Sequence, residues 1–410
     1  MEFHQGPVTT IHDLRRPPPG TGVDGPLRSR DRTDRSGRPR SDARPAVDLT
    51  ERDDAVGAGA RLAGESAVVV PMTARDAGTA VAGSVLSELE RLDPAAVVVA
   101  LRAPSSRIEA VLAWLGTFDL DVRPLWCNRP ALSEWLASRD LDHRPGKGLD
   151  CWLALGPAAD AGRAVVFQDA DDASFRAEQL ARLLAPMTME YRFVKAYYAR
   201  VENDRLYGRL CRLCYEPLVR ALRRRHDDRM LAYLAGFRYA LAGEVAVTPA
   251  LARSMRPPPG WGLEVATLGD AYRVVGPADV AQVDLGRHVH EHRSVTGQGG
   301  LVEMSDSVTR ATLRVVESAG ITPHYETLAE RVWTEAERLV RAYEADAVVN
   351  GLAYDAEDER AQARRYASSI SPPGPDRRLP AWTDASFGPS ELLDRASVTI
   401  DRPDHRAESD

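Results

Sequence analysis

A chain of 410 residues, 44% of them hydrophobic, can build a substantial core and has room for two domains or for one domain with large additions. No run of about 18 apolar residues occurs, so no membrane-spanning helix is expected; the N-terminus carries no apolar signal stretch, and a cytoplasmic location is expected. A net charge of −7 and the lack of a broad basic face give no electrostatic reason to bind nucleic acid.

The four cysteines, Cys127, Cys151, Cys211 and Cys214, are too few for a disulfide scaffold in a chain of this length. Of the 53 basic residues only Lys147 and Lys195 are lysines. Where arginine fills nearly every cationic position, a retained lysine points to a place that needs a compact ammonium group.

Residues 1–60 are rich in Pro, Gly, Ser, Arg and Asp with little apolar periodicity and are expected to be a disordered tail. Ala67–Val70 reads as a first buried strand ended by Pro71. Residues 77–92 then show helical spacing, with Val81, Val85, Leu89 and Leu92 on one stripe. Ala96–Leu101 is a second strand, and a helix capped by Ser105 or Ser106 runs through Trp114 and Leu115. Val122–Trp126 is a third strand. This alternation predicts an α/β fold with a parallel, doubly wound sheet and ligands at the C-terminal strand ends.

The motif Arg144-Pro-Gly-Lys-Gly-Leu-Asp150 precedes a helix over about 149–159. Lys147 between two glycines at a helix start brings an ammonium group together with free backbone N–H groups, a suitable anion site; an ordinary turn with an exposed lysine has the same pattern. The Walker A spacing fails, because Gly148 stands where Ser or Thr is required.

Next, Ala164-Val-Val-Phe167 ends abruptly in Asp169, Asp171 and Asp172. A buried strand that delivers carboxylates at its C-terminal end is a way to seat Mg²⁺ or Mn²⁺ against substrate phosphates. Taken alone, the same pattern describes a strand ending in a solvated acidic turn.

A helix over 175–184, a strand over 192–198 containing Lys195, and a long Arg-rich helix over 206–225 follow. Lys195 alternates with apolar neighbours and either points into a cleft or snorkels. Cys211-Arg-Leu-Cys214 has no second pair and reads as two half-buried thiols rather than zinc ligands. Residues 239–248 read as extended and broken at Gly243, with Glu244 beside it as a polar contact.

Gly260-Trp-Gly-Leu-Glu264 leads into a helix, where Glu264 suits the N-terminal dipole, and Trp261 can offer a flat face to a sugar. A last strand, 281–286, runs into His288, His290 and His292, which share one face in extended chain. Helices over 301–318, 324–347 and 355–370 form an appendage that covers the sheet or pairs subunits as a homodimer. The expected divisions are therefore a tail 1–60, a catalytic domain 61–295, a helical region 296–385 and a second disordered tail 386–410.

Several short motifs occur together in a recognisable order: V-V-V-P at 68–71, P-G-K-G at 145–148, V-V-F-Q-D-A-D at 165–171 and F-V-K-A-Y-Y at 193–198. They continue with G-R at 208–209, L-A-G-E at 241–244, G-W-G-L-E at 260–264 and Q-V-D-L-G followed by His290. From about Ala67 to Arg293 the chain resembles the retaining nucleotide-sugar glycosyltransferases of the GT-A fold, most of all the glucosyl-3-phosphoglycerate synthases. The mannosylglycerate and mannosyl-3-phosphoglycerate synthases share parts of the pattern.

The resemblance implies a Rossmann-like mixed sheet, with helices on both faces, that moves a hexose from a nucleotide-sugar donor to a small anionic acceptor. The donor would be UDP-glucose, the acceptor 3-phosphoglycerate, the ion Mg²⁺ or Mn²⁺, and configuration would be retained. By motif, Asp171, Asp169 and His290 match the metal ligands. Pro71, Thr73, Lys147, Asp169 and Asp171 match the nucleotide-sugar site. Arg209, Cys211 and His292 fall at the acceptor. Glu264, Lys147 and Leu241 fall at the reacting sugar, and Asp172 is left as a solvated neighbour.

The chain departs from the pattern at Arg75, where an acid is expected, and at Cys211 and His292, where the synthases use polar acceptor contacts. The alternatives are a sugar nucleotidyltransferase, a GDP-mannose-dependent synthase of the mannosyl type, an inverting polysaccharide-type transferase, and a non-catalytic binding protein on the same fold.

Overall fold

The most apolar stretches of the sequence form the middle of the sheet. The computed structural model describes residues 5–12, 49–51, 53–141, 145–289 and 301–400. Among them nine strands form one sheet: Thr9–Ile11 (β1), Ala67–Thr73 (β2), Ala96–Arg102 (β3), Val122–Trp126 (β4), Val165–Phe167 (β5), Phe193–Glu202 (β6), Arg205–Leu206 (β7), Val245–Val247 (β8) and Val280–His288 (β9). Their order is β1-β9-β6-β8-β5-β2-β3-β4, with β7 paired to β6 alone.

Neighbours in that order are parallel except around β8, which runs antiparallel to both β5 and β6. Reversal of this one strand has a geometric consequence. The segment entering β8, Leu241–Glu244, lies on the same rim as the exits of β2, β5, β6 and β9. Open α/β sheets bind ligands on that rim.

Because both faces of the sheet are covered, the central strands are continuously apolar rather than alternating. Val68, Val70, Val97 and Val99 pack in one layer with Val85, Leu86 and Leu89 of the helix Ala80–Glu90 and Leu180 and Leu184 of the helix Ala177–Leu184. Val69, Val98 and Ala100 face the other layer, with Trp152, Leu153 and Leu155 of the helix Lys147–Ala161. Leu313 of the helix Leu301–Ser318 and Leu328 of the helix Tyr325–Val349 extend that second layer. None of the described helices is long and apolar enough to cross a membrane.

Several expectations need correction. The helix expected over 206–225 runs from Arg209 to Arg223 and contains a five-residue π turn, Cys211–Tyr215, before its α-helical part, Glu216–Arg223. Pro217 explains it: with no N–H to reach back four residues, the bonding widens by one, and Glu216 N–H bonds to Cys211 O. The segment expected to be extended over 239–248 is strand only at Val245–Val247. Cys211 and Cys214 are fully buried rather than half-buried, Cys214 packing with Leu213, Val340 and Tyr366.

The tails are also shorter than expected. Within 1–60, β1 pairs in parallel with β9, Thr9 opposite Ala281, and Val8 is fully buried. Ala55–Gly64 is a helix capped by Asp54. At the other end, a helix Pro389–Ala396 lies beyond the boundary at 385 and buries Leu392 and Ala396.

The C-terminal segment threads back across the helix Lys147–Ala161. Trp382 stacks on Trp152 with ring centroids 5.0 Å apart. Trp382 donates its indole N–H to Trp152 O at 2.7 Å, and Trp152 donates to Pro380 O at 2.8 Å. Gly156 makes room, since a Cβ there would lie 2.6 Å from the Trp382 ring. The segment ends beside β4, where Ser397 bridges Leu125 and Val398 N–H bonds to Pro124 O.

Candidate active site

Two glycine-containing loops meet at the rim and deliver the lysine. Gly148 N–H bonds to Gly260 O at 3.1 Å and Leu149 N–H to Pro259 O at 2.8 Å. A Cβ at Gly148 would overlap the Pro258 carbonyl, so only glycine permits this approach. The first helical turn is further anchored by Arg102, whose Nε lies 2.6 Å from Asp150 Oδ2. Burial pushes the Asp150 carboxyl up to about 6, and Arg102 opposes the rise.

This geometry corrects the expectation of an open anion site at the helix start, because the first free N–H groups are taken by backbone carbonyls. Lys147 instead faces carboxylates. Its Nζ lies 2.8 Å from Asp169 Oδ1 and 3.4 Å from Glu264 Oε1. Burial alone would lower the lysine, but Asp169 and Glu264 outweigh it and hold Lys147 well above its ordinary value. Glu264 is in the first turn of the helix Leu263–Val274, after Gly262 in the left-handed region at φ 101°.

Asp169 is held from a third side. A Cβ on Gly243 would lie 2.5 Å from Asp169 Oδ2, so the carboxylate packs directly on the L-A-G-E backbone. Lys147, Asp169, Glu264 and the Leu241–Glu244 segment are thus brought together, although nearly 120 residues separate the two ends of the set. Pro71 and Thr73 lie at the exit of β2, where Thr73 donates its N–H and hydroxyl to Asp76 Oδ2, both at 2.7 Å.

Lys195 lies within the same region of charge. It is 1% exposed, so it neither snorkels nor reaches an open cleft. Its Nζ donates to Ala242 O at 2.6 Å. Burial lowers its pKa to about 8, partly offset by Glu264 and Glu244.

Asp172 is a correction. It is 3% exposed rather than solvated. Its Oδ1 accepts from Ser174 N–H at 2.9 Å and from the Ser174 hydroxyl at 2.6 Å, and His288 Nδ1 lies 3.4 Å from its Oδ2. The His288 ring stacks on Tyr198, centroids 4.0 Å apart. With Glu244 the group forms a buried set whose ligand atoms lie within 4.8 Å of one another. Individual signals for Glu244 and His288 were present in the sequence, but nothing local joined them to Asp172.

With its neighbour turned inward, Asp171 is left partly exposed at the tip. Val289, the last described residue after β9, is tied to that tip: Ala173 N–H bonds to Val289 O at 3.0 Å, and Val289 N–H to the Ser174 hydroxyl at 3.1 Å. His290 and His292 lie outside the described residues.

The acceptor residues are placed less simply. The Cys211 thiol is pushed up to about 12 by burial, and the backbone of Leu241 and Ala240 beside it opposes the rise. Arg209 is only partly exposed and is already engaged. Its Nη2 lies 2.6 Å from Asp358 Oδ2 and its Nε 3.3 Å from Glu359 Oε1, both on the helix Ala356–Ser368.

A mixed α/β sheet that gathers an acidic strand end, a half-buried lysine and a helix-start glutamate on one rim has the make-up of a GT-A glycosyltransferase. No family model matches the chain, but known proteins do. It is 31% identical over 323 residues to glucosyl-3-phosphoglycerate synthase of Methanococcoides burtonii, covering 73% of this chain and 80% of the relative. It is 34% identical over 273 residues to glucosyl-3-phosphoglycerate synthase of Persephonella marina, covering 62% and 67%.

The fold agrees with glucosyl-3-phosphoglycerate synthase of Mycobacterium tuberculosis, solved with Mn²⁺, UDP-glucose and phosphoglyceric acid. The TM-score there is 0.51 at 24% identity, over 78% of this chain and 90% of that one. Mannosyl-3-phosphoglycerate synthase from Rubrobacter xylanophilus gives 0.50 at 24% identity, over 67% and 82%. The chain belongs to the glucosyl-3-phosphoglycerate synthase family and is a glycosyltransferase, as the order of its motifs implied.

Proposed function

We propose that this enzyme transfers glucose from UDP-glucose to the hydroxyl of 3-phosphoglycerate, with retention of configuration and a divalent metal ion. The observation that carries the reading is the Lys147 bridge between Asp169 and Glu264 on the rim where the acidic tip ends. Family membership supports the sugar and the acceptor, and the ligands solved with the Mycobacterium tuberculosis enzyme agree with them.

The donor set fits Mg²⁺ or Mn²⁺, which favour carboxylate oxygen and accept imidazole. Asp171, with Asp169 and His290, would hold the ion, whose contribution is to neutralise charge on the departing diphosphate. Asp169 is already engaged by Lys147 through both oxygens, at 2.8 and 3.0 Å, so Asp171 is the principal ligand in this reading. The buried Asp172–Glu244–His288 set favours a second seat for the ion, because its ligand atoms are already gathered.

Lys147 fixes Asp169 and Glu264 in register and adds positive potential beside the diphosphate. Pro71 and Thr73 border the nucleotide. Glu264 orients the sugar, and the Leu241 backbone lies beneath it. Arg209 takes the acceptor's anionic group, and Cys211 and His292 complete the acceptor side. Attack comes from the acceptor hydroxyl on the face the UDP leaves, with no protein nucleophile.

The reaction is tested by incubating enzyme, Mn²⁺, UDP-glucose and 3-phosphoglycerate and reading UDP release and the anomeric configuration of the product by NMR. Product from GDP-mannose alone, or pyrophosphate from a nucleoside triphosphate and a sugar phosphate, would refute the reading. Asp171→Ala is expected to lose transfer by a factor of about 100 or more and to abolish Mn²⁺-dependent thermal stabilisation by UDP. Undiminished transfer by Asp171→Ala, with loss in His288→Ala, would move the ion to the buried set.

A further inference from the structure

The two carboxylates that hold Arg209 are not equivalent. Glu359 is buried, accepts two bonds from Arg212 at 2.7 and 2.8 Å and a third from the Tyr354 hydroxyl at 2.7 Å. Arg212 is itself buried and also donates to Tyr207 O at 3.0 Å. Such a pair is a fixed part of the fold, since removing one member strands a buried charge.

Asp358 is different. Its side chain is 48% exposed, that of Arg209 is 34% exposed, and their contact is a single ion pair at 2.6 Å. An exposed pair of this kind is marginal, so the aspartate can rotate into solvent at little cost. It sits in the first turn of its helix, its own N–H bonded to Asp355 Oδ1, so the backbone stays in place when the side chain swings.

We propose that Asp358 is a built-in competitor for the acceptor. Its carboxylate occupies the place on Arg209 that the acceptor's anionic group takes, and it swings out when that group arrives. Glu359 meanwhile keeps hold of the Arg209 Nε and steers the guanidinium. The inference rests on Arg209 being the acceptor residue and adds what regulates it. A phosphate dianion offers several oxygens and more charge than one carboxylate and displaces it. A neutral hydroxyl compound does not. Asp358 therefore raises the charge an acceptor must bring before it is held.

The size of the effect follows from competition. Binding is weakened by the fraction of molecules in which Arg209 is free of Asp358. For an exposed pair of ordinary strength, the acceptor's apparent affinity is lowered about two- to sixfold.

The test is Asp358→Asn, with 3-phosphoglycerate and, separately, inorganic phosphate titrated by calorimetry, and with the acceptor KM measured at saturating UDP-glucose. The expected result is a two- to sixfold tighter dissociation constant for both anions and an equal fall in acceptor KM, with kcat and donor KM unchanged. Glu357→Gln, which removes a charge from the same exposed turn, is expected to change neither. In an Arg209→Gln background, which should itself weaken both anions, adding Asp358→Asn is expected to have no further effect.

Unchanged or weaker anion binding by Asp358→Asn overturns the proposal. So does an equal gain from Glu357→Gln, or a gain that persists without Arg209. If Arg209→Gln alone leaves anion binding and acceptor KM unchanged, the reading of Arg209 as the acceptor residue fails instead.

Discussion

Gly243→Ala is the sharpest probe of the site, because it adds one methyl group and removes nothing. The added Cβ would lie 2.5 Å from Asp169 Oδ2 and 3.1 Å from its Cγ. Ordinary contact begins at 3.4 Å, so the carboxylate oxygen must retreat by about 0.9 Å. The same carboxylate bonds Lys147 at 2.8 and 3.0 Å, and a retreat of that size breaks at least one of these bonds.

A displacement near 1 Å at a positioning group costs about a hundredfold in rate, or about 2.7 kcal/mol in the transition state. The assay is initial-rate UDP release with UDP-glucose varied at saturating 3-phosphoglycerate and fixed Mn²⁺, with the thermal midpoint measured alongside. The expected result is a fall of about two orders of magnitude in kcat/KM for the donor with folding retained. A variant within twofold of wild type would show that the position of Asp169 does not matter to the reaction.

Lys195 should make stability depend on alkaline pH in an unusual direction. Its folded-state pKa is lowered to about 8 from 10.5, so the unfolded chain binds more protons across that window and stability rises with pH through it. Relative to Lys195→Met, the wild type should gain about 3 kcal/mol between pH 8 and 10.5 in urea titrations, and a flat difference would contradict the assignment. Lys147 acts oppositely: its raised pKa gives stability that is complete below 10.5 and lost at still higher pH. Trp382→Ala should cost about 3–5 kcal/mol by urea midpoint, since it empties the space over Gly156 and breaks an indole bond; a change under about 1 kcal/mol would mean the C-terminal segment is not integral to the fold.

The sequence was most legible where structure is local. An unbroken apolar run such as Ala67–Val70 fits a strand covered on both faces, and Ala96–Arg102 and Val122–Trp126 lie where expected. The acidic end of β5 and the helix-start Glu264 were visible because each is a short motif with its own chemistry. What was hidden depends on partners far apart in the chain. The Gly148 approach is set by Pro258 and Pro259, the inward turn of Asp172 by Ser174 and His288, and the engagement of Arg209 by a helix 150 residues later. Likewise, no local pattern announces that Trp382 will lie on Trp152, or that a three-residue strand at Thr9 will pair with β9.

Both margins of the sheet are made by segments from the two ends of the described chain: the three-residue β1 is the outer strand and covers β9, and Ser397–Val398 reaches β4, itself carrying Pro124. An uncovered outer strand offers a row of unpaired N–H and C=O groups to any neighbouring chain, and such rows seed aggregation. These peripheral segments are therefore guards on the solubility of the catalytic sheet, although they lie in regions that look dispensable for the chemistry. Trimming either one to simplify production would leave the active-site residues intact and still expose a template for self-association.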